Sequence, residues 1–420
     1  NPDSETGSGY WAHQYDTTFD WSSRYGDGSS VGSDYGYFAG TEPGPRSDID
    51  RLDFSSDSPT MSQRSFTSTP ARARMGGVSS QSYGYFGGGT PGYRSLVDRL
   101  DYGNDTVTAA VKGPLSNTVF HNYATGNADY GYFGGGKTPT VISTVDRLDY
   151  SSDTSTASPK GPLSGVRYNM AATGNTDYGY FAGGEPGTIT TVDRLDYSSD
   201  TTACATKGPI SLARYSFAAT GNASYGWFGG GWAPGPSSQV STVDRIDYSS
   251  DTPTASVRGT LFSARQGSGA TGNTSYGYFG GGLPGPISTV DRIDYSSDSP
   301  AATPKGPLSG ARWATIGVSS REYGLPTTSA NTELYTCALS PVNDGSWHHV
   351  VMTRVGGTQQ TYYDGVGITT TAGTYTDSTD YSGVDGWYIG KGSVGVSTFS
   401  GNLANLTIRK GKGLSNNEVQ

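Results

Sequence analysis

The chain of 420 residues contains 63 glycines and 30 tyrosines, and only 33% of its residues are hydrophobic. This composition favours many short strands and turns over a helical globule. The formal net charge of -9 argues against a nucleic-acid-binding surface, and no apolar run is long enough to span a membrane.

The start of the chain precedes any regular pattern. Residues 1–9 are polar and rich in glycine and serine, which predicts a linker or frayed end. Because the chain begins Asn1-Pro2-Asp3-Ser4, without an initiator methionine or signal peptide, we expect a fragment or a processed product. Residues 10–21 predict two short strands, and a regular series begins at Arg24.

A motif then recurs along most of the chain. Its clearest copy is YGYFGGG at residues 130–136, followed by VDRLDY at residues 145–150. The first tyrosines of the copies are Tyr35, Tyr83, Tyr130, Tyr178, Tyr225 and Tyr276, with a degenerate copy at Tyr323. Successive copies start 47 to 51 residues apart. A fixed period of this size indicates repeated units that share a core.

Each unit contains four strand signals. In one unit they cover residues 167–173, 178–181, 190–197 and 201–206, separated by turns of Gly, Asn, Asp and Pro. Four short strands per repeat predict the blades of a β-propeller. The glycine triplet at 134–136 lies between strands, where it permits positive φ and close backbone approach, and is not a phosphate loop.

The order of these features resembles kelch repeats over residues 10–325. An arginine precedes the first strand, a tyrosine-rich strand ends in Gly-Gly, and a third strand carries aspartate and tyrosine. Turns such as Ser151-Ser152-Asp153-Thr154 replace the tryptophan that follows the third strand in kelch repeats. The segments YGYFGGG, STVDRIDYSSDT, KGPLS and AATGN are similar to kelch-like repeats in structural proteins of marine tailed phages, cyanophages especially.

The kelch pattern gives a blade count. Blade starts fall at Arg24, Arg74, Val119, Arg167, Arg214, Arg265 and Arg312, with Val119 in place of the arginine in one blade. We predict seven blades, the last closed by two C-terminal strands and by two N-terminal strands near residues 11–16 and 17–21. Six blades are the alternative. We also predict that Arg147 bonds a carboxylate or carbonyls of a neighbouring blade.

The repeat stops after Pro326 and a different strand pattern follows. Its strand-like stretches are residues 345–354, 360–365, 387–390, 399–403 and 406–409. This series resembles concanavalin A-like jelly rolls of the laminin G and pentraxin type. Residues 326–420 are therefore expected to form an antiparallel β-sandwich with an Asp364-Gly365 turn, incomplete within this chain.

Metal and redox chemistry have few candidate residues. The histidines are His13, His121, His348 and His349, and the adjacent pair would point to opposite faces of a strand. Cys204 and Cys337 show no metal-ligand spacing and are interpreted as free or partly buried thiols, with a disulfide between them as the alternative. Copper radical oxidase chemistry, known for some kelch propellers, is disfavoured because His13 and His121 belong to distant blades.

Aspartates recur in every copy, as Asp193, Asp196 and Asp200 do in one. A catalytic pair is needed only once, so repeated aspartates favour turns and salt links, with calcium ligation as the alternative. No Ser-His-Asp set, zinc spacing or dinucleotide fingerprint occurs. We therefore expect no catalytic residues, no metal ligands and no cofactor, with calcium left open.

One loop differs from its counterparts. The loop after Gly231 is three residues longer and reads WAPGPSSQ from Trp232 to Gln239. A tryptophan exposed on a proline-stiffened loop suits stacking on a sugar ring or a protein partner. The alternative is a tryptophan folded over its own blade. Trp232 is the candidate ligand-binding residue.

Together these features and resemblances imply a non-enzymatic, all-β protein on the exterior of a tailed-phage virion, in a tail fibre, tail tip or capsid surface. Its expected partners are other virion proteins, a host-surface glycan or receptor and further copies of itself, without nucleic acid or membrane insertion. The alternatives are a secreted glycan-active enzyme or oxidase on a propeller scaffold, and a surface adhesin of a marine bacterium.

Overall fold

The structure is a computed structural model that describes residues 35–319, apart from residues 43, 45, 68–69 and 236–237, and the strands between residues 350 and 368. The chain divides into two compact units, residues 1–327 and 328–420. The predicted N-terminal strands near residues 11–16 and 17–21 lie outside the described residues. Among those described, no helix is long and apolar enough to cross a bilayer.

The first unit contains six four-stranded antiparallel sheets. Sheet 1 consists of β1 (Tyr35–Ala39), β2 (Asp48–Asp53), β3 (Ser62–Phe66) and β24 (Ile316–Ser319). Sheet 2 consists of β4 (Gly76–Ser79), β5 (Tyr83–Gly87), β6 (Val97–Asp101) and β7 (Ala110–Lys112). Sheet 3 consists of β8 (Tyr123–Gly126), β9 (Tyr130–Gly134), β10 (Val145–Asp149) and β11 (Ser158–Lys160). Sheet 4 consists of β12 (Ala171–Gly174), β13 (Tyr178–Ala182), β14 (Val192–Asp196) and β15 (Ala205–Lys207).

Sheet 5 consists of β16 (Ala218–Gly221), β17 (Tyr225–Gly229), β18 (Thr242–Asp247) and β19 (Ser256–Thr260). Sheet 6 consists of β20 (Gly269–Gly272), β21 (Tyr276–Gly280), β22 (Val290–Asp294) and β23 (Thr303–Lys305). The described helical segments are short 3-10 turns at Tyr102–Asn104, Tyr150–Ser152 and Tyr197–Ser199. The predicted all-β class is confirmed.

The six sheets close into a β-propeller. The innermost strands β24, β4, β8, β12, β16 and β20 lie next to one another around a central axis. The prediction of seven blades is wrong for the described residues, and the alternative of six is right. The strand after Arg312 does not open a seventh blade. It becomes the innermost strand of sheet 1, with Val318 opposite Tyr37, and thereby covers the inner edge of β1.

Buried ion pairs hold the first and third strands of five sheets together. The pairs are Arg72–Asp98, Arg167–Asp193, Arg214–Asp244, Arg265–Asp291 and Arg312 with Asp48 and Asp50. In sheet 2 the pairing arginine is Arg72, so the predicted blade start at Arg74 is wrong. Charged side chains buried in this way persist because each has an oppositely charged partner.

Sheet 3 lacks this ion pair, because Val119 replaces the arginine as predicted. Its third-strand aspartate, Asp146, accepts hydrogen bonds from the Ser116 backbone nitrogen and Oγ, at 2.8 and 2.6 Å. Burial raises the pKa of Asp146 above its usual value. The sheet therefore keeps a buried carboxylate and stabilises it with a single serine.

One aspartate joins each pair of neighbouring sheets, in an arrangement we term the aspartate clamp. Between sheets 3 and 4, Asp200 Oδ2 accepts from Arg147 Nη1 at 2.8 Å and from the Tyr132 hydroxyl at 3.0 Å. This confirms the predicted bond from Arg147 to a neighbouring blade. The clamps of the six junctions are Asp57, Asp105, Asp153, Asp200, Asp251 and Asp298. Trp227 Nε1 replaces the tyrosine hydroxyl at Asp298.

Aromatic rings and glycines complete the junctions. Tyr132 stacks on Tyr197 of the next sheet, with ring centroids 4.9 Å apart. The Gly161 nitrogen donates to the Asp200 carbonyl at 2.7 Å, and a Cβ on Gly161 would lie 1.6 Å from the Thr202 carbonyl oxygen. Only glycine therefore permits this approach of the two sheets.

The second unit contains one described sheet. It is antiparallel and consists of β25 (Val350–Val355), β26 (Thr358–Tyr363) and β27 (Val366–Ile368). Tyr363 pairs with Val350 on one side and with Val366 on the other. The predicted Asp364-Gly365 turn and the predicted strands from residue 387 onward lie outside the described residues.

Candidate functional site

At one end of the propeller, sheets 3 to 6 join their first and second strands by the same asparagine turn, and sheet 2 uses Ser80 at the equivalent position. Each second strand begins with a tyrosine, from Tyr35 in β1 to Tyr276 in β21. In sheet 3 the Asn127 side chain accepts from the Asp129 and Tyr130 nitrogens at 3.0 and 2.9 Å. Asn175, Asn222 and Asn273 form the same turn in sheets 4 to 6. This end is a repeated structural element.

The opposite end differs from sheet to sheet, and we term it the variable face. We define it by three positions in each sheet: two consecutive residues that precede the first strand, and one residue that follows the second strand. The first position holds Ala73, Phe120, Tyr168, Tyr215, Gln266 and Trp313, and the next holds Arg74, His121, Asn169, Ser216, Gly267 and Ala314. The third holds Thr90, Lys137, Glu185, Trp232, Leu283 and Glu42. Variation on a uniform scaffold is expected where the chain contacts something else.

A closed cycle of backbone hydrogen bonds fixes the variable face. The residues of its second position all have positive φ, between 54° and 67°. Each nitrogen donates to the carbonyl of its counterpart in the preceding sheet, for example His121 to Arg74 at 2.9 Å and Ser216 to Asn169 at 2.8 Å. A left-handed conformation costs a non-glycine residue roughly 1–2 kcal/mol, so the cycle of bonds holds an otherwise unfavoured backbone in place.

The propeller axis is too narrow for an organic ligand. A cavity of about 20 Å³ lies between the innermost strands, where small residues such as Ala124, Ala172 and Ala218 face the axis. This volume accommodates about one water molecule. A ligand larger than a water molecule therefore does not fit between the innermost strands.

Four of the five aromatic residues at the first and third positions of the variable face lie on neighbouring sheets and form an aromatic arc of Phe120, Tyr168, Tyr215 and Trp232, while the fifth, Trp313, belongs to sheet 1. All four are half-buried. Trp232 packs on Tyr215 with ring centroids 5.0 Å apart. Phe120 contacts the His121 ring at 4.9 Å, and that ring lies 6.0 Å from Tyr168. The arc therefore extends over sheets 3, 4 and 5.

Polar groups lie between these rings. The Tyr168 hydroxyl donates to the Glu185 carboxylate, and Asn169 Nδ2 donates to Glu185 Oε2 at 2.9 Å. Burial and the Glu185 charge raise the pKa of both Tyr168 and Tyr215. The Lys137 ammonium lies 5.5 Å from the Tyr168 ring centroid. The carboxylate thus has fixed neighbours and lies close to two tyrosines.

A second polar group borders the arc. Arg74 forms two contacts of 2.9 Å with the Glu42 carboxylate and donates to His121 Nε2 at 3.0 Å. A guanidinium can only donate, so His121 accepts and is neutral. Burial, with Arg74 and Lys137 nearby, lowers the pKa of His121 to about 3. His121 therefore serves as a neutral acceptor.

The residues singled out from the sequence lie apart from one another. Trp232 is half-buried and packs on Tyr215 of its own sheet at the variable face, and its role as a ligand-binding residue stays a prediction. Cys204 is a free, buried thiol whose pKa burial raises to about 12. His13, His348, His349 and Cys337 lie outside the described residues. In the part of the chain that is described, no cluster of His, Cys, Asp and Glu could hold a metal ion.

The aspartates of one repeat have the structural roles expected of them. Asp193 pairs with Arg167, and Asp200 is a clamp. Asp196 accepts from the Ser198 nitrogen at 2.9 Å and from its hydroxyl at 2.6 Å, which caps a 3-10 turn. These carboxylates are engaged within the scaffold.

Comparison with known families concerns the end of the chain. Residues 298–420 match the concanavalin A-like lectin/glucanases superfamily. The match includes the sheet of β25, β26 and β27, and it starts inside the propeller, where residues 303–305 and 316–319 belong to sheets 6 and 1. We assign those residues to the propeller because their strands are paired there. The curated proteins gave no significant match.

The sequence identified one residue of the arc and missed the others. Trp232 was found because its loop is longer than the equivalent loops. Phe120, Tyr168 and Tyr215 lie in segments of the same length as those of the other copies. Only the change of residue type from copy to copy marks these positions. Each directly follows a predicted blade start, Val119, Arg167 or Arg214, so comparing that one position among the copies would have singled them out.

Proposed function

We propose that the chain is a non-enzymatic structural and adhesion protein on the exterior of a tailed-phage virion, in a tail fibre, tail tip or capsid surface. Its kelch-like propeller would display the variable face toward a host-surface glycan or another virion protein. The C-terminal region would contribute a second contact. Several copies per particle would multiply weak affinities through avidity.

The observation that carries this proposal is the division of the propeller into a uniform scaffold and a variable face. At the second position of that face, the six sheets carry six different residues, whereas the tyrosine at the opposite end occurs in all six. The aspartates present in every copy are engaged in clamps, ion pairs and caps. This pattern favours display and contact over catalysis.

Three further observations support the assignment. The repeat segments are similar to those of structural proteins of marine tailed phages. The match of residues 298–420 is to a superfamily whose description names lectins together with glucanases, so it supports contact with carbohydrate. The net charge of -9 suits an exterior surface better than a surface that contacts DNA.

Localisation on purified particles tests the proposal. Particles would be purified from the source that encodes the chain, analysed by mass spectrometry and labelled with antibodies against the 420-residue protein. We expect the chain among the particle proteins and the label on the outside. A chain found only on cell surfaces would instead identify an adhesin, and turnover of a glycan by the purified protein would identify an enzyme.

A further inference from the structure

The aromatic arc combines flat apolar surfaces with a fixed set of hydrogen-bonding groups. Its rings come from sheets 3, 4 and 5, and each of the four residues is partly exposed. Tyr93 of sheet 2 extends the series, since its ring lies 5.4 Å from Phe120 and is 41% exposed. Contiguous accessible rings on three neighbouring sheets indicate a contact surface rather than scattered exposed residues.

An unsatisfied acceptor lies within the arc. Asn169 is only 7% exposed, and its Nδ2 is committed to Glu185. Its Oδ1 is buried and has no hydrogen-bond partner among the described residues. Buried polar atoms normally have partners, so this oxygen calls for a donor that the described part of the protein does not supply. A ligand hydroxyl would provide one.

Carbohydrate fits this arrangement better than peptide. A sugar ring offers apolar C–H faces that stack on aromatic rings, and hydroxyls at its edge that donate to amide and carboxylate oxygens. Peptides that bind as an added strand need a free sheet edge, and other peptides need a groove or side-chain pockets. The innermost strands are paired within their sheets, and the axial cavity has room for about one water molecule.

The charges favour a neutral sugar. Glu185 is near Lys137 across Tyr168, and Arg74 is paired with Glu42. The carboxylates of Glu185 and Glu42 balance these two cations, so the surface has no net positive charge to attract the sulfate or carboxylate groups of an acidic glycan. We propose that the aromatic arc binds a neutral oligosaccharide, with sugar rings on Trp232, Tyr215 and Phe120 and a sugar hydroxyl donating to Asn169 Oδ1. This assignment rests on the proposed adhesion function and gives it a site.

Sheet 6 supplies matched variants for the test. It carries Leu283 where sheet 5 has Trp232, and Gly267 where sheet 4 has Asn169, so Trp232→Leu and Asn169→Gly introduce residues that the backbone already accepts. Phe262, which is 64% exposed and lies outside the arc, gives the control variant Phe262→Ala. Thermal unfolding of each variant would verify that the propeller is intact.

The experiment screens the full 420-residue chain against an array of neutral, sulfated and sialylated glycans and titrates the strongest neutral ligand by calorimetry. Trp232→Leu and Asn169→Gly are each expected to weaken binding about fivefold or more, and Phe262→Ala to leave it unchanged. Binding that neither arc variant alters, or a preference for acidic glycans, would overturn the proposal. A folded chain that ignores every glycan but is retained by virion proteins would overturn the carbohydrate assignment and leave the adhesion function standing.

Discussion

The buried aspartates at equivalent positions of the third strands are of two kinds, those with an arginine partner and one without. In sheet 5, Asp244 and Arg214 are both fully buried and 3.0 Å apart. Burial lowers the pKa of Arg214, and Asp244 opposes that shift. In sheet 3, Asp146 has no arginine partner and burial raises its pKa. The equivalent aspartate therefore neutralises a buried arginine in sheet 5 and has no arginine to neutralise in sheet 3.

The first prediction compares these two aspartates. Asp244→Asn leaves the Arg214 charge buried without a counterion, so we expect a loss of about 3 kcal/mol in the free energy of unfolding. Asp146→Asn removes an unfavourable buried charge and keeps an acceptor for Ser116, so its effect should stay below about 1 kcal/mol. Urea titrations at pH 7 would measure both. Equal losses would contradict the distinction.

The second prediction concerns acid stability. The pKa of His121 is about 3 in the folded protein and about 6.5 in an unfolded chain. The unfolded state therefore binds more protons between these values, so stability falls as pH decreases from 6.5 toward 3 and is unaffected above 6.5. Asparagine suits the left-handed backbone at this position, as Asn169 shows in sheet 4. In His121→Asn, the unfolding free energy lost between pH 6.5 and pH 4.5 should be smaller than in the parent by about 2 kcal/mol. Identical pH profiles of the two proteins would refute this.

At the scale of the element, close approach between neighbouring sheets depends on single positions. Gly161 ends a fourth strand and touches the turn of the next sheet, whereas Gly165, four residues later, has open space where a Cβ would lie. The third prediction is that Gly161→Ala destabilises the propeller by more than about 3 kcal/mol. Gly165→Ala should change stability by less than about 0.5 kcal/mol. Thermal unfolding of both variants would show whether the contact is as tight as described.

The aspartate clamp also acts at the junction between elements. The fourth prediction is that Arg147→Met lowers the unfolding free energy by about 1 kcal/mol, since the bond to Asp200 is partly exposed. Arg46→Met, at a half-exposed arginine, should have no measurable effect. If Arg147→Met unfolds at the same temperature as the parent protein, the aspartate clamp does not contribute to stability.

Strands and turns were predictable from the sequence because glycine, asparagine and proline set each turn through interactions between residues close together in the chain. The second strand of sheet 4 was predicted over residues 178–181 and is observed as Tyr178–Ala182. The blade count depended on a pairing between residues far apart, which no local pattern determines. Two arginines, Arg72 and Arg74, stand two residues apart, and only the fold shows which of them reaches Asp98. The aromatic arc could not be predicted for a similar reason, because its residues come together only when neighbouring sheets pack side by side.

The whole propeller depends on one late strand. β24 pairs with β1, and Arg312 binds Asp48 and Asp50 at 2.6 and 3.0 Å. Ser309 reinforces the junction through two bonds to Asp50, at 2.8 and 2.7 Å. These contacts join the two ends of the repeat region, so the ring should unfold as one cooperative unit rather than sheet by sheet.

The fifth prediction tests this closure with two truncations. A chain ending at residue 327 retains β24 and should keep a single cooperative unfolding transition. A chain ending at residue 312 lacks β24, so the edge of β1 would be exposed and we expect loss of that transition or self-association. Calorimetry and sedimentation velocity would distinguish the two proteins. Similar behaviour of both would contradict six-sheet closure.

The position of the closing strand has a consequence during synthesis. At about 5–20 residues per second, tens of seconds separate the emergence of β1 and β24 from the ribosome. During that interval the nascent first sheet presents an unpaired edge. Two chains growing side by side would then exchange their last strands and form a strand-swapped dimer, so fast translation from widely spaced ribosomes should favour the monomeric propeller.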